Sequence, residues 1–99
     1  MDIKRKDLKE KWYKFNDDTK FKVRPFPFSQ HKSMDPMGMA LEQFLYCLVD
    51  WDGWNEEGKK IKVTEGEKTY IYDWHPDVRD FILRSSGVFA EEVGEELKN

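Results

Sequence analysis

The sequence predicts a single α+β domain, a small antiparallel three-stranded sheet packed against two or three helices. Three observations carry that expectation. Charged and apolar residues alternate at Lys20-Phe21-Lys22-Val23-Arg24 and again at Lys60-Ile61-Lys62-Val63, the period of half-buried strands. Met37, Leu41, Phe44, Leu45 and Leu48 recur at helical spacing instead. The chain has 99 residues, the length of one domain (residues 1–99), and is 15% aromatic, so it has the material for a core that disordered chains lack.

Taken in order, Ile3, Leu8, Trp12 and Phe15 stand among lysines, and residues 1–19 are read as a basic helical arm. Asn16-Asp17-Asp18-Thr19 is turn chemistry, because Asn and Asp side chains bond their own backbone. The first strand follows at 20–24 and is ended by Pro25 and Pro27, each of which removes a ladder donor. Asp35 before Pro36 starts a helix, with proline at the first helical position where no N–H is needed. Glu42 is its only charge before Asp50, so this helix is expected to be buried over most of its circumference. Residues 50–58 carry two glycines and no period, and read as an irregular loop. Residues 60–72 read as a hairpin turning at Glu65–Lys68 and returning through Thr69-Tyr70-Ile71-Tyr72. Trp74-His75-Pro76 punctuates the chain before a helix from Asp77 that buries Val78, Phe81 and Ile82. Ser85-Ser86-Gly87 ends or kinks it, and Val88, Phe89, Val93 and Leu97 place a stripe on an acidic terminal helix.

Composition narrows function. A net charge of −3 argues against a dedicated nucleic-acid binder. Charge is uneven, with nine Lys or Arg against five Asp or Glu in residues 1–24 and four Glu against one Lys in residues 88–99. A basic head and an acidic tail suit contact within the fold or self-association between copies. The one cysteine, Cys47, lies in an apolar run and is expected to be a buried hydrophobe. No apolar run approaches the ~20 residues of a membrane span, and the charged first residues lack a secretory core, so a cytoplasmic protein is expected.

Motifs for chemistry are missing. Asp50-x-Asp52-Gly53 suggests a calcium loop, but neither register supplies the glycine and the bidentate glutamate at the required positions. His31 and His75 have no metal-ligand partners at zinc spacing, and no serine sits in a nucleophile elbow. No catalytic, cofactor or metal residue is therefore assigned. The aromatic residues point to binding. Of Trp51, Trp54 and Trp74, two are expected in the core and one exposed, and Trp54 is taken as an interface residue. Phe26 and Phe28 alternate with prolines in what reads as a solvent-facing apolar segment, and complete the predicted protein-binding set.

Four stretches together resemble the phage tail assembly chaperones. They are Phe21-Lys22-Val23-Arg24-Pro25-Phe26, the helix running into Leu48-Val49-Asp50-Trp51-Asp52-Gly53, Gly58-Lys59 with Ile61, and His75-Pro76-Asp77-Val78-Arg79-Asp80-Phe81-Ile82. The likeness spans roughly residues 20–99 and is sharpest from Leu48 to Gly53; the lysine-rich head has no counterpart in it. It implies a non-enzymatic protein that coats the tape-measure protein and brings tail-tube subunits to it in the host cytoplasm, with no cofactor. The alternative is a small nucleic-acid-associated regulator using the basic head, whose Trp12, Tyr13 and Phe15 would stack on bases.

Overall fold

Antiparallel pairing of three short segments builds the sheet: β1 (Lys11–Lys14), β2 (Lys20–Val23) and β3 (Leu48–Asp52), in that spatial order. The computed structural model describes residues 1–3, 5, 8–32 and 35–86, without the side chain of Phe28. The acidic terminal helix expected to carry the stripe Val88, Phe89, Val93 and Leu97 lies outside the described residues.

The head is not helical where it meets the sheet. Lys-Trp-Tyr-Lys at 11–14 has the aromatic content of a strand, and the Asn16–Thr19 turn brings it back against β2. The amide of Asp18 donates to Asn16 Oδ1, while Phe15 and Asn16 both donate to the Thr19 carbonyl. The expected helical arm over 1–19 is therefore corrected over Lys11–Lys14, which is a strand of the β1–β2 hairpin.

Helix α1 (Pro36–Cys47) begins as the sequence dictates: the Asp35 carboxylate accepts from the Gly38 amide at 3.3 Å, and Pro36 takes the first turn. It passes into β3 with no linker, since Leu48 is both helix cap and first strand residue. The loop expected over 50–58 is instead the end of β3 and a small hairpin, β4 (Asn55–Glu56) with β5 (Lys59–Lys60). Its two-residue turn holds Glu57 at φ 51° and Gly58 at φ 78°, the pattern of a type I′ turn.

The larger hairpin expected over 60–72 does not form. Helix α2 (Glu65–Trp74) occupies that stretch, because Thr64 caps it by accepting from the Glu67 amide at 3.1 Å, and Glu65 and Glu67 favour its positive end. After the break at His75, α3 (Pro76–Ser86) completes the described chain. The α+β fold of a small antiparallel sheet against three helices stands, but of the strands read from the sequence only 20–23 belongs to that sheet.

The core lies between the sheet and the helices. Tyr13, Phe21 and Trp51 form one cross-strand row on the inner face, and all three are buried. Phe44 and Cys47 of α1, Ile71 of α2 and Val78 and Ile82 of α3 close over them. Burial of each large apolar side chain stabilises by about 1.5–3 kcal/mol. Polar groups at the end of α3 are satisfied locally: Gln43 Nε2 donates to the Leu83 carbonyl and to Ser86 Oγ, and Ser85 Oγ donates to the Phe81 carbonyl. Burial pushes the Cys47 thiol up to about 12, against the opposing effects of Ser86, Arg24 and Lys68.

On the outer face, Lys22 lies between its strand partners Trp12 and Asp50, and Lys20 between Lys14 and Asp52. Desolvation would raise the Asp50 carboxyl, but the Lys60 ammonium at 2.9 Å and the Trp51 amide outweigh it and hold the group below its usual range. A carboxyl depressed in the native state stabilises above its unfolded pKa, and that contribution disappears as pH falls through the native value. Acid titrations of stability should therefore show a flatter limb below about pH 4 in Asp50→Asn than in wild type. An unchanged limb would remove the ion pair from the acid sensitivity.

Gly53 ends β3 at φ 90°, with its α-carbon against the Asp18 backbone, and a Cβ there would collide with the Asp18 carbonyl. Thr19 Oγ1 reaches the Gly53 carbonyl at 3.4 Å from the same turn. Gly53→Ala should lower unfolding free energy by about 2 kcal/mol or more, since strain and overpacking add. Denaturant melts measure it, and a loss below about 0.5 kcal/mol would mean the two turns separate freely.

Candidate protein-binding site

Helix α2 turns two aromatic side chains outward one turn apart. Tyr70 is 50% exposed and Trp74 70% exposed, a spacing that puts both on one face. Beside them the His75 ring meets Trp54 edge-on at 4.8 Å and tilts against Tyr70 at 5.7 Å. The Trp54, Tyr70 and His75 rings border a shallow depression of about 680 Å³, whose floor and rim include Thr19, Gly53, Ile61, Glu56 and Glu67.

Each wall has a structural cause. Trp54 follows Gly53, and its indole N–H donates to Glu67 Oε2 at 2.8 Å, joining the β3–β4 connection to α2. In a capping box the glutamate at this position would turn back to the helix start; here it accepts from the indole. Ile61 donates its amide to the Trp54 carbonyl at 3.0 Å and so closes the small hairpin under the depression. Among the described residues no Lys or Arg lines it. Apolar rings with two carboxylates suit an apolar or cationic side chain of a partner.

Of the predicted interface residues, Trp54 lines this depression and Phe26 does not. Trp54 is half-buried, partly against Phe21 at 6.2 Å, and forms a wall of the depression. Phe26 does not face solvent as expected. It is half-buried, packs on the core, and meets His31 at 4.5 Å and Tyr46 at 5.4 Å edge-on. The cause is backbone bonding: Arg24 donates to the Cys47 carbonyl and Phe26 to the Ser86 carbonyl, folding the proline-flanked segment onto α1 and α3. Arg24 also stacks on Tyr46 at 3.8 Å. Phe28 opens a 3-10 turn, Phe28–Gln30, and its side chain lies outside the described residues.

The sequence expectation places Tyr70 on a strand, whereas it lies on α2. The signal was present, since Thr64-x-x-Glu67 is the pattern that starts a helix. Trp51 is buried, Trp54 packs against the core and Trp74 is exposed, so two pack and one is exposed as expected, but the exposed one is Trp74 and not the predicted interface residue Trp54. Among the described residues no group of three or more His, Cys, Asp or Glu side chains is placed to hold a metal ion. No helix among them is long and apolar enough to cross a membrane.

Exposure and packing separate these aromatics by their effect on stability. Tyr70→Ala and Trp74→Ala should each stay within about 0.5–1 kcal/mol of wild type, whereas Phe26→Ala should cost about 2 kcal/mol. Chemical denaturation of the three variants tests this, and equal losses would show that α2 faces inward. In comparisons with known proteins, no family model, curated protein or solved structure matches the chain.

Proposed function

We propose that this chain is a non-enzymatic assembly factor of the phage or prophage tail assembly chaperone type, holding the tape-measure protein and delivering tail-tube subunits in the host cytoplasm. The observation that carries the binding role is the exposed pair Tyr70 and Trp74 beside the Trp54–His75 depression. Exposed large aromatics one helical turn apart are the side chains from which protein-binding hot spots are built. The tail-specific part rests on the sequence resemblance centred on Leu48–Gly53. In the structure that string holds the α1–β3 junction, the buried Trp51 and the obligatory glycine.

The nucleic-acid alternative draws less support. Several lysines of the basic region are held by carboxylates, Lys14 by Asp17 at 3.3 Å and Lys22 by Glu10 at 3.2 Å. Asp50 and Asp52 stand on the same sheet face. Phosphate binding would have to displace these contacts.

The test is titration of a helical tape-measure segment and, separately, a DNA or RNA oligonucleotide, at two salt concentrations. Binding to the segment should vary little with salt, and Tyr70→Ala with Trp74→Ala should weaken it about 30-fold or more. Tight oligonucleotide binding that collapses with salt, with no affinity for the segment, would replace this function with the nucleic-acid one.

A further inference from the structure

We propose that the depression between α2 and the β4–β5 hairpin receives the guanidinium of an arginine side chain from a partner protein. The inference rests on the reading of this face as a protein-binding surface and does not use its tail-specific part.

The walls are rings and carboxylates without a cation of their own. Elsewhere in the chain the Trp12, Tyr46 and Tyr72 rings each have a cation over them, Lys22 at 5.9 Å, Arg24 at 3.8 Å and Arg79 at 5.6 Å. Trp54, Tyr70 and His75 line the depression with Glu56 and Glu67, and among the described residues no Lys or Arg joins them. Two lysines of the flanking elements are directed elsewhere, Lys60 to the Asp50 carboxylate at 2.9 Å and Lys68 to the Leu45 carbonyl at 3.2 Å. Ring faces are negative and carboxylates carry full charge, so both kinds of wall attract the same occupant. An apolar side chain would fill the space but strip water from Glu67 and leave its charge unpaired.

Geometry selects a guanidinium over an ammonium. Trp54 and His75 stand nearly perpendicular, at 86°, and Tyr70 tilts 57° from His75, so ring faces and edges meet in a small space. Glu67 Oε2 accepts from the Trp54 indole at 2.8 Å, which fixes the carboxylate beside the rings and leaves Oε1 for a second donor. A planar cation lies on one ring and donates from its edge to that carboxylate at the same time. An ammonium is more strongly hydrated and gives up its water for fewer contacts. The chain itself contains such a pairing, since Arg24 lies on the Tyr46 ring while its Nε donates to the Tyr46 carbonyl at 2.8 Å. Glu56, exposed on the small hairpin, adds a second carboxylate to the lining.

Titration of the full chain with a capped Gly-Arg-Gly peptide, followed by the tryptophan indole N–H resonances in NMR spectra, tests this. The Trp54 resonance, assigned with Trp54→Phe, should shift saturably in the low millimolar range, as suits one stacked cation and one charged hydrogen bond. A Gly-citrulline-Gly peptide, which keeps the shape without the charge, and a Gly-Lys-Gly peptide should each bind about tenfold more weakly. Tyr70→Leu keeps apolar area without the ring, Glu67→Gln keeps an acceptor for the indole, and each should weaken the arginine peptide about tenfold. Glu56→Gln, on the exposed hairpin, carries the charge test should Glu67→Gln lose its thermal transition. The absence of a saturable shift, equal binding of the citrulline or lysine peptide, or variants that bind like wild type would each overturn the proposal. The helical tape-measure segment, titrated in parallel, separates the two readings. Segment binding without arginine-peptide binding overturns the arginine site and leaves the protein-binding reading standing. Arginine-peptide binding without segment binding supports the site and removes the tail-specific part.

Discussion

The indole N–H of Trp51 is the group on which the arrangement of this chain turns. Trp51 is fully buried at the β3 end of the sheet's inner row, and a buried donor left without an acceptor costs about 1–3 kcal/mol. Its acceptor is the Ile61 carbonyl at 2.8 Å. Reaching Trp51 requires the chain to leave β3, reverse within a few residues and come back. The β4–β5 hairpin with its Glu57-Gly58 turn does this, and the Ile61–Trp54 backbone bond closes it. That return delivers Thr64 to the position from which it caps α2. The helix carrying the exposed aromatic face is thus placed by a hydrogen bond inside the core.

Gly53 is the steric counterpart of that bond. The reversal after β3 passes against the Asp18–Thr19 turn of the first hairpin so closely that only a residue without Cβ fits. Its positive φ removes a second cost that any other residue would carry. Hence the β1–β2 turn and the β3–β4 connection are packed as one corner, and the depression opens beside it. The sequence string Leu48–Gly53 that carries the family resemblance is the string that meets these demands: cap, strand, buried indole, close approach.

Legibility from sequence followed the range of the interactions. The capping of α1 by Asp35 with Pro36, the alternation of 20–23 and the burial of Cys47 are set within a few residues, and all were readable. Residues 11–14 and 48–52 become strands by pairing with β2 between them, and the two aromatic residues of Lys-Trp-Tyr-Lys are too short a local signal to decide strand over helix without that partner. Lys60–Val63 shows the opposite error. Its alternation is real, with Ile61 and Val63 packed on the core, but Thr64 diverts the chain into α2 before a returning strand can pair. Phe26 departs from the expected solvent-facing position for the same reason. Pro-Phe-Pro looked exposed because prolines exclude ladder pairing, whereas Phe26 found its partner in the end of α3, sixty residues away in sequence.

Charge and aromatic residues divide between the two sides of the sheet by a single rule. Inner-row aromatics meet one another or aliphatic side chains, as Phe15 meets Phe21 at 5.9 Å and Phe81 at 5.3 Å. Outer-row groups compensate across strands, Lys22 lying 5.9 Å from the Trp12 ring and also pairing with Glu10. The basic sheet face is therefore largely neutralised by its own carboxylates. The acidic α2 face is not balanced in this way, since its one lysine is drawn inward by burial beside Arg24, which together lower its affinity for a proton. The two surfaces thus differ: the sheet face is compensated by its own carboxylates, and the face of Tyr70 and Trp74 keeps exposed apolar area and net negative charge.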